Sequence, residues 1–459
     1  MTGLIILLIL ILLGVIIIQV SKVNELSSRI RGEEESFYQG NDRTGLWMFI
    51  FMIVFLIACV VSAYYYKNVM LGYGPLKAAS AHGDSLDSLF NVTLFFTGIV
   101  FVVTQYLLFW FSYKYRAKKG AKADFFPHNT NLEIIWTVIP AIVMTFLVVK
   151  GLVVWNDVMP DVGPEDEYME IEATGFQFGW DLRYPGPDGK LGTRDFTKID
   201  LASNPLGMVW TDDKNKDDFM PSEIVLPKGQ QVRVRITARD VLHNFYLPHF
   251  GVKMDDIPGL PTYFIFTPIK TTEEYREELK KYPEWQLPQD PEDPESPSRA
   301  EAFEYELACA ELCGKGHYSM RRVVRIVEQD EYEDWLSQQQ SYYVQNIRGT
   351  ADDPSPYSLL QSEIDYRNAE LESQFAEADE SGNVGDIIAL KNVFFDTGKS
   401  SLTGDYRYEL DKVAALMNKY PGMTFELGGH TDSTGSAEGN KALSNDRASS
   451  VMSLSLIHI

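Results

Sequence analysis

Four apolar stretches in the first 155 residues constrain this chain more than any other feature: Leu4 to Val20, Leu46 to Tyr66, Leu89 to Tyr113 and Ile134 to Trp155. Each approaches or exceeds the roughly 20 residues that cross a hydrocarbon core. Lipid offers no partner to backbone N–H and C=O groups, so runs of this length fold as helices. The first run has no basic segment ahead of it, and its basic residues Lys22, Arg29 and Arg31 follow it. It therefore reads as a retained span with its N-terminus outside rather than as a cleaved signal peptide. Pro140 interrupts the fourth run, where neighbouring helices can cover the freed carbonyl, and Lys150 lies close enough to the end to snorkel.

Loop charge sets the orientation. Lys22, Arg29, Arg31 and Arg43 follow the first span, Lys67 and Lys77 the second, and Lys114, Arg116, Lys118, Lys119 and Lys122 the third. The positive-inside rule makes the first and third loops cytoplasmic. Four crossings return the chain outside, so everything beyond Trp155 is expected in the periplasm of a bacterial inner-membrane protein. That part is acidic and carries most of the net charge of −23. No nucleic-acid partner is expected.

From Glu170 to Val327 the pattern turns to strand. Val232, Val234 and Ile236 alternate with Gln231, Arg233 and Arg235, the period-2 signature of a half-buried strand. Short strands separated by Pro/Gly turns predict a β-sandwich or barrel. Between two such strands lies Cys309-Ala-Glu-Leu-Cys313-Gly-Lys-Gly-His317-Tyr-Ser-Met320. Two thiolates, an imidazole and a thioether form a soft donor set that favours copper. Zinc is the rival ion, although its structural sites usually draw thiolates from a shorter Cys-x-x-Cys turn and make no use of a Met. A Cys309–Cys313 disulfide is the alternative without metal, and in an oxidising compartment a functional pair has to be held by a metal to escape it. Cys59 lies in a span as a small apolar filler. A further ligand is expected from elsewhere in the sandwich, and spacing alone leaves His243 and His249 both open.

Residues 88 to 327 resemble subunit II of the haem-copper cytochrome c oxidases. The resemblance runs through Cys-x-Glu-x-Cys-x-x-x-His-x-x-Met at 309 to 320, through Asp240-Val-Leu-His243 with Gly251-Val-Lys-Met-Asp255 and Pro258-Gly259, and through Leu132-Glu133-Ile-Ile-Trp-Thr-Val-Ile-Pro140. It implies a cupredoxin-like sandwich holding the binuclear copper centre CuA. Cys309 and Cys313 would bridge two coppers, with His243 and Met320 on one and His317 and the Glu311 carbonyl on the other. His249 is left as a surface residue or one behind the ligands. The resemblance also implies a proton-path mouth at Glu133, magnesium bound through the Glu311 carboxylate, contacts with oxidase subunits I and III, and a cytochrome c donor, free or tethered. The family places a tryptophan that receives the electron after Gly-x-Gln. Here that position is Phe178, in Gly175-Phe-Gln-Phe178-Gly-Trp180, which makes Phe178 and Trp180 the candidates. Eleven Asp or Glu against four Lys or Arg between residues 156 and 200 suit a basic donor. A quinol oxidase subunit II, which lacks the copper ligands, and a metal-free wall anchor are the rivals.

Residues 271 to 300 read as an acidic, proline-rich insertion, either a floppy loop or a contact for another partner. Residues 331 to 386 read as linker with some helix. After it, Ile387 to Phe395 and Met423 to Gly428 are expected as strands, Asp405 to Lys419 as an amphipathic helix, and a last helix is expected from about Ala437. Phe394-Phe395-Asp396, the turn from Gly429 to Gly435, Asn440 and Arg447 resemble the outer-membrane-protein-A-like peptidoglycan-binding module. That likeness implies a small α/β domain in which Asp432 and Arg447 grip the zwitterionic end of a cell-wall peptide. The segment after this helix, to Ile459, is too short for the further strand the family places there, so the domain is expected to be incomplete as given. The expected plan is four spans as helical hairpins over 1–155, an all-β cupredoxin-like domain over 156–330, a linker over 331–386 and the α/β module over 387–459.

Overall fold

The computed structural model describes residues 2–70, 77–125, 127–163, 165–354, 359–382, 385, 387–403 and 407–457, without the side chains of 2–10, 28, 31, 67–70, 403 and 454–457. The last two residues of the chain, Asp405 and parts of the expected linker lie outside the described residues. The chain divides into two units, one made of 1–161, 249–251 and 269–303, the other of 162–248, 252–268 and 304–459.

The first unit opens with helices α1 (Thr2–Arg31), α2 (Glu33–Met70), α3 (Gly83–Lys114) and α4 (Thr130–Val158). Among the described residues, 33–66, 83–114 and 130–158 are long and apolar enough to cross a membrane. The charged stretch expected as a loop after the first span is instead helical on both sides of Gly32, whose φ of +91° breaks the run. Its residues are good helix formers, and Arg29 pairs with Glu25 one turn away at 2.6 Å. Helix α2 packs along α3: the Phe49 ring stacks on Tyr113 at 5.5 Å, and Asp42 pairs with Arg116 at 2.5 Å. A Cβ at Gly45 would lie 3.0 Å from the Arg116 side chain, so the small residue allows this approach. Helix α4 starts at an Asn129 N-cap. Asn129 Oδ1 accepts the Leu132 N–H at 3.1 Å, and the Glu133 carboxylate accepts the Asn129 N–H at 3.3 Å.

The acidic insertion also belongs to this unit, and it is folded rather than floppy. Thr271 and Glu274 form a capping box at a short helix, Thr272–Leu279, whose Tyr275 and Leu279 are buried. Tyr275 and Phe303 close on His249, with ring centroids 5.7 and 5.0 Å away. His249 is thus a core residue, not a surface one. Burial among these rings pushes its pKa down to about 4. The Ala79 N–H and the Ser80 hydroxyl donate to the carbonyls of His249 and Phe250, each at 2.6 Å, which holds this turn against the segment before α3.

The second unit is the sandwich. Strands β1 (Met169–Phe176), β2 (Gly179–Arg183), β4 (Val232–Ala238) and β7 (Thr262–Phe266) form one sheet in the order β2-β1-β4-β7. The other sheet runs β3-β9-β8-β5-β6, from β3 (Ile224–Pro227), β5 (His243–Leu247), β6 (Val252–Asp256), β8 (Tyr305–Cys309) and β9 (Arg321–Val327). The expected alternation holds in β4. Val232, Val234 and Ile236 are fully buried, while Arg233 reaches back to Glu170 on β1 at 2.5 Å. The strands β5, β8 and β9 neighbour one another in one sheet, so the chain distance between His243 and Cys309 is bridged by the Phe245–Cys309 register of β5 and β8.

The described residues of the segment expected as linker carry three helices, the first starting just before it. In the first, Gln329–Ser337, Trp335 packs edge-on to Tyr184 and Phe219 at 5.5 and 5.7 Å. The next, Tyr342–Asn346, buries Tyr343 in a cluster with Leu206, Met208, Trp210 and Ile347. The third, Gln361–Ser381, packs Leu371 and Phe375 on Leu416 of the helix Arg407–Lys419, and its Arg367 pairs with buried Glu409 at 2.7 Å. Among the described residues of the tail, strand pairing is limited to Phe394–Phe395 with Leu402–Thr403, and a long helix spans Ala437–Ile457. Residues 423–428, expected as a strand, carry no ladder. Their Met423 and Phe425 pack against the Leu371–Phe375 face instead, so side-chain burial rather than pairing places them.

Candidate metal centre

The metal pocket sits where β5 begins and β8 ends. His243 is fully buried, and its Nδ1 lies 3.8 Å from Cys309 Sγ. The two sulfurs, Cys309 Sγ and Cys313 Sγ, are 4.0 Å apart, about twice the length of a disulfide bond. Met320 Sδ approaches Cys313 Sγ to 3.3 Å, and His317 Nδ1 lies 3.7 Å from the same sulfur. The Glu311 carbonyl oxygen is 3.2 Å from Cys309 Sγ. All six residues of the expected ligand set therefore converge.

The donor set fits a soft metal. One ligand atom from each of His243, Cys309 and Cys313 lies within 4.8 Å of the others. Metal–sulfur bonds of about 2.3 Å span sulfurs up to about 4.6 Å apart, so a 4.0 Å pair can share a metal. Burial, reinforced by neighbouring Cys309, pushes the Cys313 thiol up to about 11. Two thiols in this arrangement resist ionising together, and a bound cation reverses that balance.

Behind the ligands lie groups that spacing did not reveal. The Asp240 carboxylate meets His243 Nε2 at 2.9 Å through Oδ1 and accepts the Gln177 N–H at 2.7 Å through Oδ2. Burial works to raise the Asp240 pKa, but these hydrogen bonds outweigh it and hold the carboxyl below its ordinary value. Asp256, opposite His243 in the β5–β6 ladder, is fully buried, and burial pushes its pKa up to about 8. Its Oδ1 accepts the Phe245 N–H at 2.9 Å, while Oδ2 has no partner among the described residues.

The two aromatic candidates separate clearly. Trp180 is 1% exposed, stands edge-on to Phe245, and donates its indole N–H to the Met320 carbonyl at 3.4 Å. Phe178 is 41% exposed and lies against Gly314 and Gly316 of the ligand loop, where an added Cβ would come within 2.9 and 2.4 Å of its ring. Glu133 is exposed at the start of α4, and the Glu311 side chain is exposed on the loop.

In the tail, Asp432 accepts the Thr434 N–H at 3.0 Å within its turn, which Asn440 fastens through the Asp432 and Thr434 carbonyls. Arg447 spends its fork on backbone. It donates to the carbonyls of Lys399, His430 and Asp396 at 3.1, 3.0 and 3.3 Å and stacks over Phe395.

Fold and pocket together define a membrane-anchored cupredoxin-like protein with a thiolate–imidazole–thioether metal site. Family descriptions agree: "Cytochrome C oxidase subunit II, transmembrane domain" matches residues 69–154, "Cytochrome C oxidase subunit II, periplasmic domain" matches 169–272, and "OmpA family" matches 394–456. The alternative cytochrome c oxidase subunit 2 of Bradyrhizobium diazoefficiens is 32% identical over 259 residues, 56% of this chain and 81% of that one. The cytochrome c oxidase subunit 2 of Thermostichus vulcanus is 26% identical over 288 residues, 58% of this chain and 78% of that one. That of Yarrowia lipolytica is 25% identical over 276 residues, 60% of this chain and 98% of that one. The chain belongs to the cytochrome c oxidase subunit II family and carries an OmpA-family region at its C-terminal end. Membership makes it a membrane-bound component of a respiratory oxidoreductase with a periplasmic domain, and it implies copper.

Proposed function

We propose that this subunit receives single electrons from a cytochrome c at a binuclear copper centre and hands them to the haem-bearing subunit I. The observation that carries the reading is the convergence of Cys309, Cys313, His243, His317 and Met320 within a few ångströms. Such a centre, when bound, supplies a one-electron carrier delocalised over two metals. The chain's own part is to hold the ligands still. His243 is fixed from behind by Asp240, Met320 by burial and by the Trp180 indole, and Cys313 lies in a loop bound at both ends to paired strands. Ligands that scarcely move let charge arrive and leave with little rearrangement.

The electron arrives, on this reading, at Phe178, whose exposed ring lies on the ligand loop, while Trp180 serves as packing behind Met320. The Glu311 side chain, exposed beside its ligating carbonyl, is free to hold magnesium shared with subunit I. Glu133 stands at the cytoplasmic mouth of a proton path when subunit I covers it, and its carboxylate caps α4 in the meantime. Helix α1 is the fourth span, in a bacterial inner membrane, with subunit III among the other partners. On this reading the domain plan is 1–155, 156–330, 331–386 and 387–459, with the helices of 329–346 packing on residues of the sandwich region and that of 361–381 on residues of the tail. The tail would tether the complex to peptidoglycan, with Asp432 as the acceptor and Arg447 fixing its turn through the His430 carbonyl. Copper analysis with electron paramagnetic resonance on the purified chain tests the central reading. Two coppers giving one mixed-valence signal are expected, and a copper-free, folded protein would sink it.

A further inference from the structure

The turn between β1 and β2 does more than reverse the chain. Its Gln177 makes two hydrogen bonds to segments that are far apart in sequence. The backbone N–H donates to Asp240 Oδ2 at 2.7 Å, and the side-chain Nε2 donates to the Cys313 carbonyl at 2.5 Å. Asp240 in turn holds His243 Nε2 at 2.9 Å, and Cys313 is the half-buried loop's innermost thiol, 6% exposed. One residue therefore joins the strand end that presents His243 to the loop that presents Cys313.

We propose that Gln177 is the positioning residue of the metal pocket, a bracket that fixes the His243 imidazole and the Cys313 thiolate relative to each other. The inference rests on the copper reading above. A neutral imidazole has one donor and one acceptor nitrogen. With Nε2–H given to Asp240, the Nδ1 lone pair faces the sulfurs, where it is available to a metal. That arrangement lasts only while the carboxylate keeps its angle, and a carboxylate held at one oxygen can turn about its side-chain torsions. The Gln177 N–H on the second oxygen removes that freedom. On the other side, the loop glycines Gly314 and Gly316 give the chain after Cys313 wide backbone freedom. The Nε2 bond to the Cys313 carbonyl, with the Phe178 ring lying on both glycines, pins the loop at its glycine-containing stretch. Both restraints issue from a single turn, so they act on the distance between the two ligands and not on either alone.

The test uses the full chain in detergent, loaded with copper, and compares it with Gln177→Met, which keeps the side-chain length and removes the donor. Partners behind metal ligands typically change metal affinity roughly 10- to 100-fold. Copper loss to a Cu(I)-selective chelator should accordingly quicken by about 10- to 100-fold, with an altered copper hyperfine pattern and a shifted reduction potential. The thermal midpoint of the metal-free protein should stay where it is, a combination that a merely structural role would not produce. If Gln177→Met does not fold, Gln177→Asn, one methylene too short to reach the Cys313 carbonyl, is read in the same way. Unchanged release and spectrum in the folded variant would overturn the proposal, as would a fall in metal-free stability with no spectral change. A wild-type chain that binds no copper would instead overturn the copper reading itself, so the two failures are distinguishable.

Discussion

Replacing Arg183 by Met should unfold the sandwich more readily than any change at the metal pocket. The guanidinium is fully buried on β2 and makes five hydrogen bonds. Nε and Nη2 donate to Asp218 Oδ2 at 2.8 and 2.5 Å, Nη1 to Glu172 Oε2 at 3.0 Å, and Nη2 also to the Gly192 carbonyl and Asn215 Oδ1, both at 2.7 Å. Glu172 keeps a second cation, Arg194 at 2.8 Å, but Asp218 has no other among the described residues. Burial would raise the Glu172 carboxyl, yet Arg194 and Arg183 outweigh it and hold it low. For Asp218 burial wins over Arg183, and its pKa rises to about 7. Removing one member of a buried pair costs about 3–5 kcal/mol because the remaining charge is uncompensated. At about 2–4 °C per kcal/mol for a domain of this size, the midpoint should fall by roughly 6–20 °C. The pH dependence has a definite sign. A raised carboxyl pKa contributes stability that is present below its ordinary value and lost as pH rises through the folded value, here about 7. Without Arg183 the rise is opposed mainly by the Gly192 N–H, which donates to Asp218 Oδ2 at 3.3 Å, so the loss should be larger at pH 8 than at pH 5, where Asp218 is protonated. Thermal melts of the purified chain followed by near-ultraviolet circular dichroism at both pH values measure it. A loss below about 1 kcal/mol, or the same loss at both, would refute the reasoning.

Three further outcomes are expected. Cys309→Ser and Cys313→Ser should each abolish the two-copper resonance signal while leaving the sheets folded, which far-ultraviolet circular dichroism checks. Gly175→Ala places a Cβ 2.7 Å from Asp256 Oδ2 and 3.1 Å from His243, in strand β1. Overpacking there should cost about 1–3 kcal/mol in denaturant titrations and loosen copper as well. Asp432→Ala should remove peptidoglycan pull-down by the full chain, whereas Arg447→Ala should also free the 430–435 turn, visible as faster amide exchange there.

What the sequence made legible was what local pattern encodes. The apolar runs marked α2, α3 and α4 because length and composition alone decide a span. Alternation at Val232, Val234 and Ile236 marked β4 because one face is buried. The ligand loop was legible because its donors lie within twelve residues. Helix α1 through residues 21–31 and the start of α2 were missed because charge was read as loop, although the Glu25–Arg29 spacing is a helical one. The fold of the insertion is hidden in the sequence for the same reason. Its Thr271-x-x-Glu274 capping box was in plain view, but the apolar residues that fold it, Tyr275, Leu279 and Phe303, are scattered among acids and find their partner in distant His249. Gln177, Asp240 and Asp256 had no local signal, since their roles are hydrogen bonds, or a missing one, across strands.

The same physics accounts for the different burial of Phe178 and Trp180. Side chains in a strand alternate between faces, and Trp180, Leu182 and Tyr184 share one face, each 1% exposed. Trp180 therefore belongs to the core by register, whatever its chemistry, and its indole N–H needs the Met320 carbonyl because a buried donor must be satisfied. Phe178 stands outside the strand in the preceding turn, where no register pulls it inward, and its ring finds room only because the ligand loop has glycines at 314 and 316. Phe178 combines surface exposure with direct contact with the metal loop. If the electron enters at Phe178, as proposed above, Phe178→Ala should slow electron arrival with the copper spectrum intact. Trp180→Phe, which removes only the buried hydrogen bond, should alter the spectrum through Met320 while leaving the bimolecular rate close to its starting value.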